Sequence, residues 1–186
     1  QKYFSFWKTP LVELDKKVLL LVGTGNIGSR VGKIAEAIGM KVLAAQLPGR
    51  ENSKSTFERI PLEEGLSQAD VVSLHCPLTD QTRQLINAQT LSLMKKSALL
   101  INTARGALVA ENALAKALGE NSIAGYGADV LDGEPPREDN PLLKASNAII
   151  TPHLGWASLE CRQRLLSVSA ENAKAFLDGA PQNVVS

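Results

Sequence analysis

The sequence predicts an α/β protein built as a doubly wound parallel sheet between two helix layers, and three observations carry that prediction. The first is Val18–Val22, an unbroken VLLLV run of the kind found in a central parallel strand covered on both faces. The second lies directly after it: Gly23, Gly25 and Gly28 form a turn that leads into a stretch where Ile27, Val31, Ile34, Ala35 and Ile38 recur at helical spacing. The third is the remainder of the chain, in which short apolar runs alternate with helical patterns, as parallel βαβ units require.

Taken in order, residues 1–16 stand apart as a linker or docking segment, because Tyr3, Phe4, Phe6 and Trp7 are four of only eight aromatics. They either meet a partner or cover the domain's own sheet edge. Residues 17–180 form the domain. After the first strand and helix, Lys41–Ala45 reads as the second strand and Gln46–Pro61 as a polar loop with Pro48, Gly49 and Arg50. Leu62–Ala69 is a short helical turn, Asp70–His75 the third strand, Asn87–Met94 a helix and Ala98–Asn102 the fourth strand. Ala110–Leu118 is helical, and Gly125 and Gly127 inside the fifth strand, Ile123–Val130, imply close backbone approach. The acidic, proline-rich stretch Leu131–Ser146 is a loop. Ala148–Thr151 is the sixth strand, and Ala157–Asp178 is a final helix stopped by Gly179 and Pro181. Right-handed crossovers then favour the strand order 3-2-1-4-5-6, the Rossmann arrangement, with its ligand crevice at the C-terminal ends of the strands.

Composition narrows the chemistry. A net charge of +1 offers no general field for nucleic acid or an anionic membrane, and no apolar run approaches the roughly 20 residues of a membrane span. Two cysteines, Cys76 and Cys161, make neither a disulfide framework nor a metal cluster and point to a reducing, cytoplasmic compartment.

The glycine turn is the strongest chemical signal. In a strand–turn–helix the first glycine permits the tight turn, the second lets a pyrophosphate approach the backbone, and the third brings helix and strand close. Unpaired N–H groups at the helix start complete an anion cradle. A dinucleotide is the favoured ligand, against a purely structural turn or another Rossmann ligand such as S-adenosylmethionine. The segments after the strands should converge on one crevice: Gly23–Gly28, Gln46–Arg50, Cys76–Pro77, Thr103–Gly106, Asp129–Glu134 and His153–Ser158. His75, ending a buried-type strand, suits a structural role or a pocket wall. His153, between Pro152 and Gly155, is placed either as a proton donor or as a satisfied loop histidine. Arg105 beside Gly106 suits two-pronged binding of a carboxylate or phosphate. Glu134, fixed by two prolines, could hold a carboxylate against an imidazole, and Asp129 needs a polar partner at the end of a central strand.

These residues stand within VGTGNIGSRVG, HCPLTDQTR, LLINTARGALV, GYGADVLDGEPP and TPHLGWAS, and in that order the chain resembles the cofactor-binding domain of the D-isomer-specific 2-hydroxyacid dehydrogenases from Val18 to about Val185. Trp156 and the QLPGR turn make it most similar to the glycerate dehydrogenase/hydroxypyruvate reductase branch. The resemblance implies an enzyme that moves a hydride between NAD(P)H and a small 2-oxo acid such as hydroxypyruvate or glyoxylate. It implies His153 as the acid/base, Glu134 as the group that holds and charges it, and Arg105 as the substrate-carboxylate ligand. Gly23, Gly25, Asn26, Ile27 and Gly28 would hold the pyrophosphate, Thr103 and Ala104 the ribose side, and Asp129 the nicotinamide side. Cys76, Pro77, Thr82 and Gly155 would complete the cofactor contacts, with Trp156 facing a small, uncharged substrate group. Phosphoglycerate and lactate chemistries, or a dinucleotide-sensing module without turnover, are the alternatives. Where the second strand should end in an acid that binds the adenosine ribose, this chain has Gln46, with Arg50 four residues on, so NADP is expected to be accepted alongside NAD or preferred to it. The resemblance also implies a second, substrate-binding lobe largely outside this chain, and a homodimer in which the aromatic N-terminal segment takes part.

Overall fold

A computed structural model describes residues 11–49 and 55–185, so Tyr3, Phe4, Phe6, Trp7 and Arg50 lie outside the described residues. The chain divides into two compact units, Gln1–Ile150 and Thr151–Ser186. In the first, seven parallel strands are β1 (Val18–Val22), β2 (Lys41–Ala45), β3 (Glu58–Ile60), β4 (Val71–Leu74), β5 (Leu99–Asn102), β6 (Gly125–Ala128) and β7 (Ala148–Ile150). They lie in the order β3-β2-β1-β4-β5-β6-β7. The helices are α1 (Asn26–Ala37), α2 (Leu62–Gln68), α3 (Ala88–Ser92) and α4 (Glu111–Gly119).

The doubly wound sheet is as expected, but the six-strand count is corrected. Glu58–Ile60, inside the expected polar loop, pairs parallel with β2 in the register Leu43↔Glu58 and Ala45↔Ile60. The strand at 71–74 therefore pairs not outside β2 but with β1, Leu19 opposite Val71 and Val22 opposite Leu74. An ERI edge strand of two charged residues and one apolar residue has no periodic signal of its own, and its strand character comes from β2's free edge. A 3-10 turn, Pro141–Lys144, also interrupts the expected loop.

Alternate residues of β1 feed two cores, the pleat sending neighbours to opposite faces. Leu20 and Val22 join Leu43, Leu66, Leu74, Leu100 and Leu114 on the side of α2 and α4. Leu19 and Leu21 join Val42, Phe57 and Ala35 on the side of α1. The helix turns a different face inward from the one its isoleucines suggest. Gly28, Gly32 and Ala35 are buried, whereas Ile27, Ile34 and Ile38 are 68%, 64% and 51% exposed. Small residues let the helix lie close enough to the strand for Leu21 and Phe57 to fill the space over Gly32.

Asp70 fastens the base of the sheet. Its carboxylate accepts from Val18 N at 2.9 Å and from Lys95 Nζ at 3.0 Å. Burial alone would raise its pKa, but the Val18 amide and Lys95 outweigh that and hold it below the ordinary value of 3.8.

In the second unit, Thr151–Ala157 forms a turn that leads into α5 (Leu159–Leu177). Ser158 caps α5, its hydroxyl accepting from Cys161 N at 3.2 Å.

Candidate active site

The glycine turn is shaped by backbone crowding on two sides. Gly23 has φ +107°, and a Cβ there would stand 2.6 Å from the backbone nitrogen of Cys76, so β1 can turn beside β4 only with glycine. A Cβ on Gly28 would collide with the Gly23 carbonyl. Gly25 differs, because nothing lies within 4 Å of the Cβ it lacks. Its missing side chain leaves open space over the start of α1. Gly25 is also the N-cap of α1 and supplies no side-chain cap, leaving the first amides of a 12-residue helix for an outside acceptor. The turn therefore fits the pyrophosphate of a dinucleotide, with Asn26 and Ile27 as the first helical amides.

Beside the turn, a cavity of about 450 Å³ is lined by Ile27, His75, Cys76, Pro77, Leu78, Thr103, Ala104 and Arg105. It lies at the C-terminal ends of β1, β4 and β5, which are paired side by side, and so occupies the point where the chain's winding direction reverses. The cavity brings together six residues expected to contact cofactor: Ile27, Cys76, Pro77, Thr103, Ala104 and Arg105. His75 is a wall of it. Its Nε2 stands 3.0 Å from Ser73 Oγ, and burial lowers its pKa, which favours the neutral ring. Thr82 is buried, its hydroxyl donating to the Pro77 carbonyl at 2.7 Å and accepting from Thr79 N at 2.8 Å. It shapes the loop that presents Cys76 and Pro77.

Two residues to which the sequence assigned no role build the turn of Arg105. Asn102, fully buried at the end of β5, donates through Nδ2 to the Arg105 carbonyl at 2.9 Å and accepts from Ala104 N at 3.0 Å. Buried Tyr126 bonds the Asn102 side chain, and burial pushes its hydroxyl up to about 12. The available signal is a polar residue closing an otherwise apolar strand, which a buried site tolerates only when its amide is satisfied. The Arg105 side chain is exposed, with Nη1 donating to the Ala104 carbonyl at 2.7 Å.

Glu134 lies on the loop after β6, where its carboxylate accepts from Leu131 N at 3.1 Å. Asp129 begins that segment, its amide bonded to the Asn102 carbonyl at 3.0 Å. The loop abuts the arginine turn directly, because a Cβ on Gly106 would collide with the backbone of Leu131 and Asp132. Gln46 lines a second cavity, about 530 Å³, with Leu47, Pro48, Gln81 and Arg83 among its walls.

His153, Gly155 and Trp156 belong to the second unit. His153 has φ +54° and its amide donates to the Thr151 carbonyl at 3.0 Å. A left-handed histidine costs local energy that surrounding structure must impose, a condition common at functional positions. Trp156 is 54% exposed.

Residues 3–155 match the D-isomer specific 2-hydroxyacid dehydrogenase, NAD binding domain. The chain belongs to that family. Its relatives include a hydroxypyruvate reductase of Blautia hydrogenotrophica, 45% identical over 98% of this chain and 57% of that protein. Another is a glycerate dehydrogenase of Methylorubrum extorquens, 44% identical over 99% of this chain and 57% of its own length. Among solved structures, an acyclic imino acid reductase in complex with NADPH and D-Arg superimposes with a TM-score of 0.85 at 35% identity, covering 94% of this chain and 55% of that one. The chain thus spans little more than half the length of the relatives it matches.

Proposed function

We propose that this chain is the nucleotide-binding part of an NAD(P)H-dependent 2-oxo acid reductase acting on hydroxypyruvate or glyoxylate. The observation that carries this reading is the single cavity in which Ile27, from the anion-cradling turn, and Arg105 are both wall residues. A dinucleotide held by the turn and an anionic substrate held by the guanidinium would meet there. Family membership and the names of the two relatives support the reaction class and the substrate.

The bound dihydronicotinamide would supply the hydride. Arg105 would take the substrate carboxylate in a two-pronged bond and polarise the adjacent carbonyl. His153 would give its proton to the carbonyl oxygen as negative charge develops there, and Glu134 would hold the ring in place. Trp156 would bound the small side group. The assembly would be a homodimer.

Gln46 carries the cofactor proposal. A carboxylate at the end of β2 would repel a 2′-phosphate, and an amide does not. The intact protein should therefore use NADPH at least as well as NADH in hydroxypyruvate reduction. A tenfold or greater kcat/KM preference for NADH would refute this. His153→Gln should lower kcat by about 10²–10⁴, the usual worth of a general acid. A full rate in that variant would remove His153 from the mechanism.

A further inference from the structure

Glu111 is the first residue of α4, reached only six residues after Arg105, yet its carboxylate points across to the loop that bears Glu134. Oε1 accepts from Asp132 N at 2.8 Å, and Oε2 accepts from Asn140 Nδ2 at 2.7 Å. Asn140 is buried and commits its own oxygen to Leu142 N at 2.9 Å, so its amide orientation is fixed and only its nitrogen can face Glu111. One carboxylate therefore ties both ends of the segment 132–140, and Glu134 lies inside it. The tie falls beside the contact where Gly106 lies flush against Leu131 and Asp132.

We infer that Glu111 is a positioning residue, clamping the Glu134 loop to the arginine turn so that the carboxylate and the guanidinium keep a fixed separation. The inference rests on the roles proposed above for Glu134 and Arg105. It is independent of which 2-oxo acid or which nicotinamide cofactor is used. Glu111 touches neither substrate nor cofactor in this scheme. Its effect passes through Glu134, and small displacements of such groups cost large factors in rate.

The donor and acceptor pattern supplies its own test. In Glu111→Gln a single oxygen is left for two donors, Asp132 N and Asn140 Nδ2, and in Asn140→Asp two carboxylates face each other. Each single variant therefore breaks one arm of the clamp. The pair E111Q/N140D restores it with the direction reversed: the amide introduced on α4 would donate to the carboxylate introduced on the loop, whose other oxygen still accepts Leu142 N, and the net charge is unchanged. In the intact protein, each single variant should lower kcat about tenfold, with KM for hydroxypyruvate and Kd for the cofactor within about twofold. The double variant should return kcat to within about threefold of wild type.

Singles with wild-type kcat, or a double no better than the singles while folded, would overturn the clamp. If E111Q does not fold, Asn140→Ala removes the Oε2 arm from the other end, along with the acceptor of Leu142 N, and an unchanged kcat there would overturn the clamp equally. An inactive wild type would instead refute the reductase reading on which the roles stand.

Discussion

At the scale of single residues, Asn102 decides the shape of the arginine turn. It has no exposed surface and answers one amide and one carbonyl of a three-residue turn while also bonding Tyr126. Asn102→Ala should lower stability by about 2–4 kcal/mol, since it strands several buried polar groups, and should raise KM for the 2-oxo acid more than Kd for the cofactor. Urea midpoints and steady-state kinetics check both, and a loss under about 1 kcal/mol would mean that water satisfies the turn. His75 supplies a separate, pH-dependent term. Its folded pKa lies below 6.5, so the unfolded chain binds the proton more readily. The stability this site contributes is present above pH 6.5 and is lost as pH falls from there towards the folded value. His75→Asn should flatten the melting temperature in that window. The Asp70 contribution, with a folded pKa below 3.8, is lost only in stronger acid as pH falls through that value, so the two are separable. Equal slopes in wild type and variant between pH 7 and 5.5 would exclude His75.

At the scale of elements, α1 shows what sequence pattern can and cannot reveal. Its existence was legible from helical spacing and the close approach at Gly28 from the glycine turn, but the exposure of its isoleucines was not, because spacing ranks Ile above Gly and Ala. A helix docked at close range over β1 inverts that ranking: Gly28, Gly32 and Ala35 go inside and Ile34 stays 64% exposed. Accordingly, Ile34→Gln should change stability by less than about 0.5 kcal/mol, whereas Ala35→Leu should cost about 1–3 kcal/mol by overpacking against the sheet. The reverse order in a denaturation series would contradict the docking described. The same limit explains the rest. Val18–Val22, Asp70–His75 and Ala98–Asn102 announced their strands through apolar runs, and TARG and GEPP announced Arg105 and Glu134. The β3 edge and the Glu111 contacts to Asp132 and Asn140, 21 and 29 residues away, exist only once the chain is folded. No local pattern encodes them.

At the scale of the whole molecule, the first unit holds the seven-stranded sheet, the glycine turn and the cavity beside it, so the residues of the proposed pyrophosphate cradle all lie within this chain. Catalysis asks for more. Arg105 is exposed, and an exposed guanidinium binds a carboxylate weakly because water and salt screen the pair. The relatives are nearly twice as long as this chain, which covers 57% of each. The additional lobe expected from the family resemblance would exclude water around Arg105, strengthen its hold on substrate and supply further contacts. This chain expressed alone should therefore bind NADPH, measured by calorimetry, with an affinity within about tenfold of the intact protein. Its kcat/KM for hydroxypyruvate should be at least about 10²-fold lower, the scale on which loss of positioning and water exclusion acts. Turnover equal to the intact protein would show that all substrate contacts reside in these 186 residues. Loss of NADPH binding would show instead that the cradle at Gly23–Gly28 depends on the other lobe for its shape.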